Sequence, residues 1–454
     1  MSGERYDVVV LGAGPAGEVA TGILAEAGLK VALVERELVG GECGYWACIP
    51  SKTLLRPPET QHESSRAAGV STPELDWARV AAYRDWMIRN LDDSAAVSGY
   101  EQQGVTVFKS SGKLAGPGRV EVDGKVIETE HVIVATGSEP QIPPIEGLAE
   151  AGYWTNREAT TLKEIPKSAV FIGGGAVGVE LGQMLARFGS LVTIVQGANR
   201  LLDREDPEVG RLIGNQLEAD GIRLELGRQA TRVRVENGER VVELDDGGEA
   251  RGEALVVAAG RRPRISALGL ESVGIEPGGH GIPIDDRCRA AKGVWAIGDA
   301  TGVSLFTHVG KYQARVAVAN ILGENAVADY RAVPRVVFSD PEVAAVGLTA
   351  EQAKEQGLVV SEVSLELKDA IARPYTYEQN PRGWFALLID RERDLLVGAW
   401  AVAPLAGEWI HHAVLAIRAQ IPVAILKDTI AQFPTFSEAY VSALRKLPKT
   451  SSES

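Results

Sequence analysis

The sequence predicts an α/β chain in which one βαβ unit occurs twice and a smaller α+β domain follows. Three observations carry this. The same order of apolar run, glycine turn, helix and second apolar run occurs in both halves in one register. The 454 residues suggest roughly three domains at about 150 residues each. From about Val333 onward, short strand patterns and an amphipathic helix replace the glycine turns.

The first unit begins with the apolar run Val8 to Leu11, which leads into GAGPAG, Gly12 to Gly17. A helical pattern follows to Gly28, then a β-rich run from Val31 to Val34 that ends on Glu35. This pattern predicts a dinucleotide site. Gly12 allows the tight turn, Gly14 lets backbone approach a pyrophosphate, and Gly17 lets helix and strand pack closely. The free amides and positive dipole end of the helix suit phosphate. Glu35 is placed to accept from ribose hydroxyls.

Every landmark returns in the second unit. Gly12, Gly14, Gly17, Gly28 and Glu35 correspond to Gly173, Gly175, Gly178, Gly189 and Gln196, flanked by strands Ala169–Ile172 and Leu191–Val195. One glycine motif is weak; two complete units in one register predict two Rossmann-like domains and two bound dinucleotides. Two further apolar strands end alike, in VIVATGSEP with Gly137 and in ALVVAAGRRP with Gly260. A third, VWAIGDA, places Asp299 just past a strand, either as a partner for a polyol chain or as a helix cap. The expected organisation is residues 1–150 and 266–332 as one nucleotide domain in two parts, 151–265 as the second, and 333–454 as the α+β domain. The only low-complexity stretch is the polar tail, residues 449–454.

The formal charge of −14 argues against nucleic acid as a partner. No signal-peptide pattern opens the chain and no apolar run reaches about 18 residues, so the expectation is a cytoplasmic protein without a membrane span. Three cysteines in a chain this long do not make a disulfide scaffold.

Two of those cysteines lie in GGECGYWACIPSK, Gly40 to Lys52. Cys48 sits near a predicted helix start with Pro50 in the first turn and Lys52 one turn on, features that favour thiolate. Zinc would want four ligands, and only His62 is nearby, so no metal is expected. A redox pair is favoured over an inert disulfide. Cys288 is isolated and reads as structural.

With GAGPAG and Glu35, GGECGYWACIPSK, ATGSEPQIPPIEG, GGGAVGVE, VAAGRRP, VWAIGDA and FPTFSEA in place, the chain resembles the group I pyridine nucleotide-disulfide oxidoreductases over nearly its full length. The resemblance implies FAD in the first unit and NADH or NADPH in the second. Hydride would pass to the flavin, which would in turn reduce a Cys43–Cys48 disulfide. Cys48 would take the flavin-facing position and Cys43 would attack a small-molecule acceptor. Lys52 and Glu180 match a pair beside the flavin, and Asp299 matches an FAD-contacting acid. The resemblance also implies a homodimer whose C-terminal domains complete each other's active sites.

The chain departs from that pattern. Where the family carries His, followed by Pro-Thr-x-Ser-Glu, this chain has Phe433, with Pro434, Thr435, Ser437 and Glu438 kept. Phenylalanine carries no proton, and a general base is worth roughly 10²–10⁴-fold. Tyr45 and Trp46 between the cysteines either pack inside or form a stacking wall for a flat acceptor. The mercuric reductases that lack this His carry a C-terminal cysteine pair, absent here. Gln196 removes the acid that would repel a 2′-phosphate, and Arg200 and Arg204 follow closely, though Gly197 replaces the usual arginine. NADPH is therefore favoured. Three functions stay open: an NAD(P)H:disulfide oxidoreductase, a quinone or metal-ion reductase that needs no base at residue 433, and a non-enzymatic redox sensor.

Overall fold

The structure, a computed structural model, describes residues 4–447; the polar tail of residues 449–454 lies outside them. The main path of the first sheet has the order Arg289–Ala291, Val294–Ala296, Lys125–Val134, Arg5–Leu11, Val31–Val34, Thr106–Phe108. Arg5–Leu11 pairs in parallel with both of its neighbours. Val8, Val9 and Val10 are all buried, as a parallel sheet covered on two faces requires. Val8 and Val10 pack with Ala20 and Leu24 of the helix Pro15–Glu26, while Val9 and Leu11 join the opposite layer.

The second parallel sheet has the order Arg223–Leu226, Leu191–Gln196, Ser168–Ile172, Ala254–Val257. Phe171 and Ile194 pack with Met184 and Leu185 of the helix Ala176–Arg187. Val170, Ile172 and Val195 face a three-stranded antiparallel sheet, Ala230–Glu236, Glu239–Leu244 and Glu249–Gly252. The similar strand ends noted in the sequence meet. Ser138–Pro140 and Arg261–Pro263 form a two-stranded antiparallel ribbon that ties the two units together.

A five-stranded antiparallel sheet follows, Pro334–Val337, Glu342–Gly347, Leu395–Ala403, Trp384–Asp390, Val360–Glu366. Its side chains alternate between two layers. Phe385, Leu387 and Ile389 meet the helices His411–Arg418 and Glu438–Arg445, and Ala386, Trp400 and Val402 join the core of the second βαβ unit. The amphipathic pattern expected as one helix here is broken at Ile410 into Ala406–Trp409 and His411–Arg418. Among the described residues no helix is long and apolar enough to cross a membrane.

Candidate active site

The glycine turns are built alike. Gly12 has φ +102° and Gly173 has φ +116°, and a Cβ would lie 2.4 Å from the Ala135 carbonyl oxygen in one and 2.3 Å from that of Ala258 in the other. A Cβ on Gly17 or Gly178 would strike the carbonyl oxygen of Gly12 or Gly173. Gly14 and Gly175 face open space, with nothing within 4 Å of a built Cβ. The residue closing each unit repeats one contact. Ala13 N donates to Glu35 Oε2 at 2.7 Å, and Gly174 N donates to Gln196 Oε1 at 2.9 Å. Glu35 Oε1 also accepts from Glu37 N.

The cysteine loop lies directly on the first glycine turn. Gly40 N donates to the Ala13 carbonyl, and a Cβ on Gly41 would lie 2.7 Å from Gly14 Cα. Gly40 and Gly41 have φ +122° and +60°, which glycine adopts without steric cost. Cys43 sits in the short helix Gly41–Tyr45, and Cys48 is the first residue of the helix Cys48–Arg66. Both cysteines are free thiols. A third group joins them. Thr307, first residue of the helix Thr307–Ile321, donates to Cys43 Sγ at 3.3 Å and stands 3.5 Å from Cys48 Sγ.

Two helix N-termini therefore converge on the sulfurs, and the pair shares a proton unequally. A hydrogen bond from Cys43 holds Cys48 down to about 6 against the opposing effect of burial, and Thr307 and Lys52 pull the same way. Cys43 is pushed up by that same bond and by burial. Lys52 Nζ donates to Glu180 Oε2 at 2.7 Å, lies over the Phe338 ring, and contacts Ser51 Oγ. Glu180 Oε1 accepts from Phe338 N.

A cleft of about 480 Å³ collects Gly12, Gly14, Glu35, Gly137, Asp299, Cys43, Cys48, Lys52, Glu180 and Thr307. Asp299 Oδ2 accepts from Ser138 Oγ at 2.6 Å, and burial raises its carboxyl. It caps neither its own turn nor the helix that begins at Thr307. FAD fits the residues present. Gly14 leaves a cradle a Cβ would fill, Glu35 closes the neighbouring strand, and Arg264, which also lines the cleft, holds a buried Nε that makes no hydrogen bond, with Glu139 Oε2 3.7 Å away. Gly173, Gly175, Gly178, Gln196 and Gly260 lie outside this cleft, but Val177, Glu180 and Leu181 of their helix line it. The helix of the second unit thus lies against the first site.

Some expected residues are placed elsewhere. The Arg200 guanidinium donates to the Asp203 carbonyl in its own loop. Glu438 Oε2 accepts from Thr435 N, and neither it nor Phe433 lines the cleft. The stacking wall is not formed by Tyr45. Its ring is buried against Gly40 and its hydroxyl donates to the Val39 carbonyl. Trp46 is covered by the Arg157 guanidinium, 4.1 Å from its ring centre. Cys288 is fully buried. Thr307 and Arg264 were invisible to motif reading, since each lies more than 200 residues from the cysteines and neither type is diagnostic.

Two nucleotide cradles meeting at a dithiol define an FAD-dependent oxidoreductase. The chain belongs to the pyridine nucleotide-disulphide oxidoreductase family. Its family model matches residues 6–320, and the model of the family's dimerisation domain matches residues 333–444. The chain is similar to a dihydrolipoyl dehydrogenase of Thermus scotoductus, 37% identical with 98% of each chain covered. A mercuric reductase of Bacillus cereus is 33% identical over 98% of this chain and 72% of that protein. Among solved structures, the Cu(II) complex of the HOCl-induced flavoprotein disulfide reductase RclA from Escherichia coli superposes with TM-score 0.87. It is 28% identical, covering 97% of this chain and all of that one. Family members use FAD and NAD(P)H.

Proposed function

We propose that this enzyme moves electrons from NADPH through FAD to a Cys43–Cys48 disulfide and on to a small disulfide. The observation that carries the reading is the sulfur pair itself, with Cys48 favoured as thiolate and both sulfurs against Thr307 in the cleft. In this reading residues 1–150 and 266–332 hold FAD, residues 151–265 hold the nicotinamide, and residues 333–454 pair two chains.

FAD, when bound, supplies the two-electron carrier between nicotinamide and disulfide. Gly12, Gly14, Gly17, Glu35, Gly137 and Asp299 would hold it; Gly173, Gly175, Gly178, Gln196 and Gly260 would hold the nicotinamide cofactor, with Arg200 in the adjoining loop turned toward Asp203. Lys52 and Glu180 fix the junction between the two sites. In the reduced pair, Cys43 gives up its proton and its sulfur attacks one sulfur of the acceptor R–S–S–R. One R–S⁻ leaves and takes a proton. Cys48 thiolate then attacks Cys43 Sγ and expels the second R–S⁻, which takes a proton from solvent. The intrachain disulfide is restored, and the acceptor has gained two electrons and two protons, supplied by one hydride from NADPH and one proton from solvent.

Cofactor preference follows from Gln196, whose neutral amide does not repel a 2′-phosphate. The shared active site follows from the C-terminal domain. Phe433 is 75% exposed and Ile430 94%, a hydrophobic surface on the domain matched as a dimerisation domain. Phe433 and Glu438 would then meet the cleft of a second chain. Reducible thiols of this kind suit the cytoplasm.

A quinone or metal-ion acceptor is the second reading, favoured by Phe433 at the place of the family's base. The sensor reading falls with the family assignment. An anaerobic titration with NADPH separates the rest. Uptake of about four electrons per flavin means flavin and disulfide both accept; about two means the sulfurs are silent and the disulfide reading is lost.

A further inference from the structure

The loop between the two cysteines is gripped by the segment that leads into the second glycine unit. The short helix Asn156–Thr160 supplies three side chains to it. Asn156 Nδ2 donates to the Trp46 carbonyl at 2.8 Å, and Thr160 Oγ1 donates to the same oxygen at 3.0 Å. Trp46 caps the helix Gly41–Tyr45, where a carbonyl finds no partner in its own helix. Arg157 grips the side chains. Its Nε donates to Glu42 Oε1 at 2.7 Å, its Nη2 donates to Glu37 Oε2 at 2.7 Å, and its guanidinium covers the Trp46 ring. Glu42 directly precedes Cys43, and Trp46 stands two residues before Cys48. The gripping helix is itself braced. The fully buried Arg84 donates to the carbonyls of Thr160 and Leu162, and Thr155 and Glu158 close a capping box at its start.

We propose that Arg157, backed by Asn156 and Thr160, is a positioning residue for the redox pair: it holds the loop in the geometry from which Cys48 closes on Cys43. This rests on the reading of the pair as a working disulfide. The physical argument is proximity. In the mixed disulfide, Cys48 thiolate displaces R–S⁻ from Cys43 Sγ; one S–S bond forms as one breaks, and the electron pair leaves with R–S⁻. That step is intramolecular, so its rate depends on how closely the two sulfurs are held. Both stand against Thr307, at 3.3 and 3.5 Å. Gly44 between them faces open space and brings a flexible backbone, so the loop needs a grip from outside. The attack of Cys43 on an acceptor is intermolecular and needs only a reachable sulfur. Releasing the grip should therefore slow closure and spare the attack.

The test separates the two steps. Holoenzyme reduced with dithiothreitol and desalted anaerobically is mixed with 5,5′-dithiobis(2-nitrobenzoate) at about pH 8.5, where Cys48 is thiolate. Two thionitrobenzoate ions are released and read by absorbance. The first marks the attack of Cys43 and scales with reagent concentration; the second marks closure by Cys48 and does not. Arg157→Ala should slow the second about ten- to a hundredfold and change the first less than about threefold. Arg157→Lys keeps the charge but loses the planar fork, and should fall between. Arg234→Ala, which removes an arginine paired with Glu236, Glu243 and Glu249 on the separate antiparallel sheet, should close at the wild-type rate. Closure at the wild-type rate in Arg157→Ala, or equal slowing in Arg234→Ala, overturns the proposal while leaving disulfide reduction intact. If Arg157→Ala does not fold, Trp46→Leu decides: it removes the ring under the guanidinium and should slow closure at least about threefold, and a wild-type rate overturns the proposal. A wild-type enzyme whose second release also scales with reagent does not close, and this removes the disulfide reading and the proposal together.

Discussion

Lys52 Nζ lies 2.7 Å from Glu180 Oε2, although 128 residues separate them in the chain. The pair pins the cysteine helix to the helix of the second glycine unit. Glu180 is 5% exposed, so removing Lys52 leaves a buried carboxylate without its cation. A fully buried pair broken this way costs about 3–5 kcal/mol; the Lys52 side chain is 36% exposed, so about 1–3 kcal/mol is expected for Lys52→Met. Adding Glu180→Gln should recover part of the loss. Thermal melts of the two singles and the double close the cycle, and singles that melt with the wild type would show that the pair carries no stability.

Cys48 is held down to about 6, so in the reduced enzyme it is thiolate above that pH and thiol below it. An unfolded cysteine titrates near 8.5. The sign follows. This ionisation stabilises the reduced fold fully above the unfolded value, and the contribution is lost as pH falls through about 6. Cys43, pushed up, stays protonated throughout that window. Thiolate absorbance at 240 nm should therefore rise with a midpoint near 6. Thr307→Val removes a hydroxyl that favours the thiolate and should move the midpoint upward; a wild-type midpoint at 8 or above contradicts the assignment.

Much of this was legible in the sequence because the chemistry depends on spacing. Glycine at fixed offsets between a strand and a helix is demanded by backbone approach, and that demand survives in the letters. The same holds for Cys43 and Cys48, five residues apart at a helix start. What could not be read is long-range. Thr307 meets the sulfurs from 264 and 259 residues away. The pairing of Ser138–Pro140 with Arg261–Pro263 has no local signature beyond two similar strand ends. Pro57 and Pro58 would be expected to end a helix, yet they lie inside Cys48–Arg66, where tertiary packing holds Pro58 buried. Tyr45 was ambiguous because an aromatic beside a reactive sulfur reads equally as wall or as core; only the contact with Gly40 decides.

Phe433→His should raise turnover with a small disulfide near neutral pH. The residue is exposed, so the change has little steric cost, and Glu438 stands five residues on at a helix start, where it could orient an imidazole. A general base is worth roughly 10²–10⁴-fold where geometry is right, so a gain of at least about tenfold is expected. Steady-state rates across pH 6–9 would show it as a new dependence on a group near 6.5. Unchanged rates with every disulfide tried would mean that another group moves the proton.

The two glycine turns should fail separately. Gly12→Ala and Gly173→Ala each place a Cβ within 2.4 Å of a carbonyl oxygen at a backbone angle that costs an L-residue about 1–2 kcal/mol before any clash. Gly12→Ala should lose flavin, seen as a low ratio of absorbance at 450 to 280 nm. Gly173→Ala should keep flavin and lose reduction by NADPH, while dithionite still reduces it. Equal loss of flavin from both variants would contradict two independent sites.

Gln196→Glu tests cofactor choice with little collateral change. The two units show why. Gln196 Oε1 accepts from Gly174 N as Glu35 Oε2 accepts from Ala13 N, so a glutamate already occupies the equivalent place in the first unit and makes the equivalent bond. The substitution therefore keeps the turn and adds only charge. That charge accepts from the two ribose hydroxyls of NADH and repels the 2′-phosphate of NADPH. The ratio of kcat/KM for NADPH to that for NADH should fall about tenfold or more. Arg200 is turned toward Asp203, so its charge is not directed at position 196, and Arg200→Ala should move the same ratio much less. If Arg200→Ala collapses the ratio while Gln196→Glu leaves it in place, the 2′-phosphate is recognised through the loop after the strand and not by the residue that ends it.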